Sequence, residues 1–132
     1  MSGSARGTFE IQAQRHPPYD ERAGATLARV TFTKQFTGDL VAESNVEMLG
    51  AITEVKGSAG YVAIERVVGT LSNKQGSFVL QHSGTMARGA QSLSVTVVPD
   101  SATDALRGLS GTMRIDVADG KHHYTFDYAF AD

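Results

Sequence analysis

The chain contains no cysteine, which excludes disulfides, thiol nucleophiles and cysteine-bearing zinc centres. A cysteine-free chain suits a reducing compartment, and a cytoplasmic location is the expectation. No apolar run approaches the ~18 residues of a membrane helix. The Ser/Gly-rich start, residues 1–7, lacks the apolar core of a secretory signal, so no membrane partner is expected. Basic residues form no block or stripe: 12 Lys and Arg are offset by 14 Asp and Glu spread along the chain, which argues against a nucleic-acid partner. Helical periodicity is almost missing, and nothing repeats at a solenoid period.

What is present is alternation. The 132 residues, 41% of them hydrophobic, suffice for one domain, residues 1–132, with a packed core. Eight apolar segments of period two are separated by turn signals: Thr8 to Gln14, Thr26 to Phe36, Leu40 to Ile52, Tyr61 to Leu71, Ser77 to Met86, Ser92 to Val98, Thr112 to Val117 and His122 to Phe130. The long loop "PDSATDALRGLSG" has room for one helical turn around Asp104 to Arg107. Eight short strands joined mainly by tight turns predict an all-β fold, an eight-stranded antiparallel up-and-down β-barrel, with a two-sheet sandwich as the competing architecture. Closing the sheet removes its edges and leaves room for side chains or one small ligand.

Two of these segments carry unexpected residues. "GYVAIERVVGTLSNKQGSFVLQHSG", Gly60 to Gly84, places Glu65 and Arg66 in one apolar run and His82 in the next. Alternation puts Glu65 on the face of Tyr61, Ala63 and Val67, and His82 on the face of Phe78 and Leu80. Taking "SNKQG" as the turn, one register opposes Glu65 to His82 and Gly69 to Phe78; another opposes Arg66 to His82. The first is preferred, because the Phe78 ring would cover the Gly69 backbone and an acid would face an imidazole. Several strands are apolar on both faces with no long helix to cover them, so a second copy of the chain is the expected cover, in a homodimer or a higher homo-oligomer with the dimer favoured.

The stretches "KQFTGDLVAES", "GYVAIERVVGTLSNKQGSFVLQHSGTM", "VVPDSATDALRGLSG" and "HHYTFDYAF" resemble the bacterial domain-of-unknown-function family 3224, from about Thr8 to Phe130. That family is similar to the allene oxide cyclase-like (calycin-like) barrels. The resemblance implies an eight-stranded barrel, an oligomer and, for the better-known relatives, cofactor-free cyclisation or guided coupling of an apolar substrate in the lumen. This is fold-level analogy for the chemistry. One departure stands out: the long loop of the family has the form G-S-G-T-G, where this chain reads "DSATD".

Glu65 and His82 are the candidate catalytic residues. They form either an acid/base pair in the lumen, where desolvation raises a carboxyl pKa, or an ion pair that fixes strand register. Tyr61, Tyr124 and Tyr128 are candidate ligand-binding hydroxyls or core aromatics. Glu43, Asn45 and Glu47 share a face; Glu47 is a further ligand-binding candidate if that face is the lumen, and a solvated residue if it is not. His122 and His123 are neighbours on a strand and cannot chelate one ion as a pair, so no metal and no other cofactor is expected. Three readings remain: a cofactor-free cyclase or isomerase acting on a small apolar molecule, a barrel that only binds such a molecule, and a barrel whose lumen is filled by side chains and that acts only through its surface.

Overall fold

The computed structural model describes residues 2–131. Nine strands, β1 (Ser2–Arg15), β2 (Asp20–Arg22), β3 (Ala25–Gly38), β4 (Leu40–Thr53), β5 (Ala59–Leu71), β6 (Lys74–Ala87), β7 (Ala90–Val97), β8 (Leu109–Ala118) and β9 (Lys121–Phe130), form one antiparallel sheet. β1 pairs with both β9 and β3, so the eight long strands close into a barrel and β2 is a short flap on β3. The only helical element among the described residues is a 3-10 turn, Asp104–Leu106. No helix is long and apolar enough to cross a membrane.

Alternation decides what fills the barrel. Buried and exposed residues alternate along β4 from Leu40 to Glu47 and along β5 from Val62 to Val68. The inward set at one end is large and apolar: Phe36, Leu40, Leu71, Phe78, Leu80, Tyr124 and Phe126 are all at most 2% exposed. Phe78 stacks on Phe126 at 5.7 Å. We call this end the floor. The loop after β7 folds across it and inserts Leu106 into the core. That loop is tied to β6 by Ser77 N–H donating to Thr103 Oγ1 (3.1 Å), Val79 N–H donating to Ser101 Oγ (3.0 Å) and Thr103 N–H donating to the Ser77 carbonyl (2.9 Å). Asp100 and Asp104 take left-handed φ values of 62° and 55°. These are the first and last residues of "DSATD", and aspartate tolerates this conformation better than most residues with a side chain.

Three hairpins turn on two residues with positive φ at both positions: Ser72–Asn73, Arg88–Gly89 and Asp119–Gly120. Such turns match the right-handed twist of the strands. The first corrects the expected register. Lys74, Gln75 and Gly76 belong to β6 rather than to the turn, so Glu65 faces Leu80, His82 faces Ala63, and Gly69 faces Gly76. An aromatic ring does cover a strand glycine, but the pair is Tyr61 and Gly84. Because the β6 partner of Glu65 differs from the expected one by two positions, an even number, every side chain keeps its face.

The barrel is closed unevenly. β7 pairs with β8 at Thr96↔Thr112 alone, and β1 pairs with β9 only as far as Phe9↔His122. Away from the floor, Leu93 and Val117 have the lumen-facing parity of their strands yet are 45% and 67% exposed. The lumen is packed at the floor and open at the other end.

Candidate functional site

Four buried polar side chains, from four adjacent strands, form a layer across the middle of the lumen: Lys34 (β3), Ser44 (β4), Glu65 (β5) and His82 (β6). Glu65 is its hub and is fully buried. Its Oε1 accepts from His82 Nε2 at 2.7 Å and from Lys34 Nζ at 3.2 Å. Its Oε2 accepts from Ser44 Oγ at 2.6 Å. The Lys34 ammonium also lies 4.6 Å from the centre of the Phe9 ring, a cation–π contact that helps replace lost water. Glu65 and His82 therefore meet diagonally across the β5–β6 pair, on one face, as expected from alternation.

The electrostatics follow from this geometry. Burial pushes the Glu65 carboxyl up. The His82 hydrogen bond, the Lys34 charge, the Ser44 hydroxyl and the His82 charge oppose burial and together hold the carboxyl below its ordinary range. Glu65 is thus an ionised acceptor, and the proton in the 2.7 Å contact belongs to His82 Nε2. In the neutral imidazole this leaves the lone pair on Nδ1. Nδ1 has no hydrogen-bond partner among the described residues. No fully buried side-chain nitrogen or oxygen lacks a partner, so Nδ1 is not sealed inside protein.

Above this layer, away from the floor, lies a cavity of about 360 Å³. Its wall includes Val30, Met48, Ala51, Tyr61, Met86 and Leu93, with the backbones of Gly50, Gly60 and Gly84. On each strand these residues lie above the layer: Val30 beyond Lys34, Met48 beyond Ser44, Tyr61 beyond Glu65, Gly84 beyond His82. A side chain at Gly84 would meet the Tyr61 ring, so that glycine lets Tyr61 lie against the wall. Burial, and after it the Glu65 charge, pushes the Tyr61 phenol up. Tyr61 therefore carries an O–H donor, and that hydroxyl makes no hydrogen bond among the described residues.

The other expected ligand-binding residues lie elsewhere. Glu47 is on the outer face of β4, where Arg29 donates to it at 2.8 Å; the expectation that it joins the lumen cluster is corrected. Glu43 and Asn45 are outside with it. Tyr124 is inward but at the floor. Its hydroxyl accepts from Leu40 N–H at 2.9 Å and donates to the Thr37 carbonyl at 2.8 Å, so it ties β9 to the β3–β4 turn and faces no cavity. Tyr128 packs between Phe126 and Phe130 at the same end. His122 stacks on Phe9 at 5.0 Å. No group of three or more His, Asp or Glu side chains converges among the described residues.

Sequence reasoning missed Lys34 and Ser44. The signal was present: Lys34 sits in the inward series Val30, Phe32, Lys34, Phe36, and Ser44 in Leu40, Ala42, Ser44, Val46. A lysine within an aromatic alternation lies on the buried face.

The family model described as "Protein of unknown function (DUF3224)" matches residues 5–128. The chain is also similar to a crystal structure of a protein of unknown function from the same family, from Shewanella oneidensis MR-1. The two share 44% identity over 100% of both chains, with a TM-score of 0.94. No curated protein matches the chain. With a matching family model over nearly its whole length and a solved relative of the same barrel, this chain belongs to the DUF3224 family.

Proposed function

We propose that this barrel binds a small apolar molecule in the open half of its lumen, with the Tyr61 hydroxyl as a polar anchor. The observation that carries this reading is the cavity: about 360 Å³, walled chiefly by apolar side chains and glycine backbone, above a layer that blocks further descent. Pockets of small-molecule sites run from ~300 to 1,000 Å³ and combine apolar walls with a few placed polar groups. A neutral fluorescent probe, N-phenyl-1-naphthylamine, tests it. Wild-type protein is expected to bind the probe at micromolar concentrations, and Ala28→Trp, which places an indole in the cavity, to abolish binding while the protein stays folded. Binding unaffected by the tryptophan would reject this location.

A cofactor-free isomerase or cyclase is the second reading. It is favoured by the imidazole whose Nε2–H is held by a carboxylate and whose Nδ1 is uncommitted. His82 is not among the residues that wall the cavity, so this reading requires the substrate's carbonyl end to reach down to the polar layer, where such a base takes a proton from the neighbouring carbon while the Tyr61 O–H stabilises the enolate oxygen. With 2-decalone in heavy water, this reading expects faster exchange of the α-hydrogens for deuterium with wild type than with His82→Gln. Equal rates would leave a binding protein.

A homodimer fits the outer face of β4 and β5. Val41, Leu49, Val62, Ile64 and Val68 are each 45–60% exposed there. Arg66, which makes no ion pair with the described residues, and Glu43 lie among them. Two-fold apposition would match each arginine with the other copy's glutamate. Sedimentation is expected to give twice the 14.0 kDa chain mass at micromolar concentration, with Ile64→Lys shifting the species to monomer. A wild-type monomer under those conditions would exclude the dimer.

A further inference from the structure

The cavity has one charged side chain in its wall. Arg15 is the last residue of β1 and opposes Val30 of β3, so it takes the lumen-facing parity of Phe9. It lines the cavity at the rim, where every other lining residue is uncharged. No carboxylate of the described residues forms an ion pair with it, although three of the chain's other arginines, Arg22, Arg29 and Arg114, each have an acidic partner. Gln91 and Ser92 of β7 lie on the same rim and add neutral hydrogen-bonding groups. The site therefore has a polarity along its axis: apolar wall and Tyr61 inside, a single guanidinium without an ion-pair partner among the described residues at the mouth. A guanidinium recognises carboxylates and similar planar or tetrahedral anions through paired N–H donors.

We propose that the occupant of the cavity is an amphipathic monoanion, an apolar body of about the cavity's size bearing one anionic group, seated with the body inside and the anion on Arg15. This rests on the reading of the cavity as a ligand site and adds the chemical class of the ligand. The anion stays at the rim, partly hydrated, because the wall below it is apolar and offers no counterion to offset the cost of taking a charge out of water. The contribution of Arg15 is accordingly that of a semi-exposed charge-assisted contact, and it weakens with salt.

Two probes with one aromatic skeleton separate the two claims: neutral N-phenyl-1-naphthylamine and its sulfonate, 8-anilinonaphthalene-1-sulfonate. Fluorescence titration of the wild type is expected to show the sulfonate binding about tenfold more tightly than the neutral probe, a difference of the size of one partly exposed charge-assisted hydrogen-bonded pair. Arg15→Gln is expected to erase that preference, bringing the ratio of the two probes' affinities to about one. Ala28→Trp should abolish both. If the neutral probe binds in the cavity but the sulfonate shows no preference, or keeps its preference in Arg15→Gln, the anion proposal is overturned and the cavity reading survives; Arg15 then serves to guard the unpaired end of β1 against edge-to-edge pairing. If neither probe binds, or if both persist in Ala28→Trp, the cavity reading and the proposal fail together.

Discussion

Replacing Glu65 by leucine is expected to lower stability by about 3–5 kcal/mol, the range for removing one partner of a buried ion pair. The loss comes from what remains. Lys34, 7% exposed, keeps its charge with no counterion, and the donors of Ser44 and His82 lose their acceptor. The double variant Lys34→Met/Glu65→Leu is expected to recover most of the loss, because an apolar pair replaces a charge pair whose desolvation offsets much of its attraction. Urea denaturation of the wild type, Lys34→Met, Glu65→Leu and the double variant gives the coupling directly. A Glu65→Leu loss below about 1 kcal/mol would mean that the layer is hydrated and not a buried network. The same layer sets a pH dependence. The folded carboxyl is held below its ordinary value of 4.5, so its contribution is whole above that value and is lost as pH falls through the lower folded value. Glu65→Gln is expected to lack this acid-side decline, and a matching decline in the variant would assign it to other carboxylates.

Gly7→Ala is expected to cost about 3 kcal/mol, the upper part of the range for overpacking a tight site. A methyl group on Gly7 would sit 2.0 Å from the Thr37 carbonyl oxygen and 2.7 Å from the Tyr124 hydroxyl. The first is backbone in a paired strand and cannot move alone. The second already bridges Leu40 N–H and the Thr37 carbonyl. Gly60→Ala is the matched comparison. Its added methyl would have no neighbour closer than 3.7 Å, and it should change stability by less than about 0.5 kcal/mol. Thermal or urea unfolding of the pair checks this. Equal losses would show that the Gly7 effect reflects strand propensity rather than the clash.

Gly7 also shows where the sequence was silent. A Ser/Gly-rich start reads as irregular, yet residues 2–7 form the first half of β1. Gly3 and Gly7 are bare because Tyr128 and Tyr124 lie over them, and those tyrosines arrive from the far end of the chain. The shared inner face of Glu65 and His82 was legible, since period two is a local property. Their register was not. "SNKQG" looks like a polar turn, but Gly76 is a strand residue, bare because a Cβ there would collide with the Thr103 carbonyl oxygen. Tyr124 and Tyr128 share the lumen parity of Tyr61, but they sit at the floor. Height along the barrel axis is set by strand stagger, which no local pattern carries. Glu47 was ambiguous for a related reason: alternation groups residues by face and does not say which face is inside.

The most direct test of a floor packed with side chains, a polar layer and an open chamber above it uses the methionines. Met48 and Met86 line the cavity, whereas Met113 is in the floor core. With methyl-labelled methionine, saturating the protein with N-phenyl-1-naphthylamine is expected to shift the Met48 and Met86 methyl resonances and leave Met113 in place. Unchanged Met48 and Met86 signals, with probe bound elsewhere or not at all, would contradict the account.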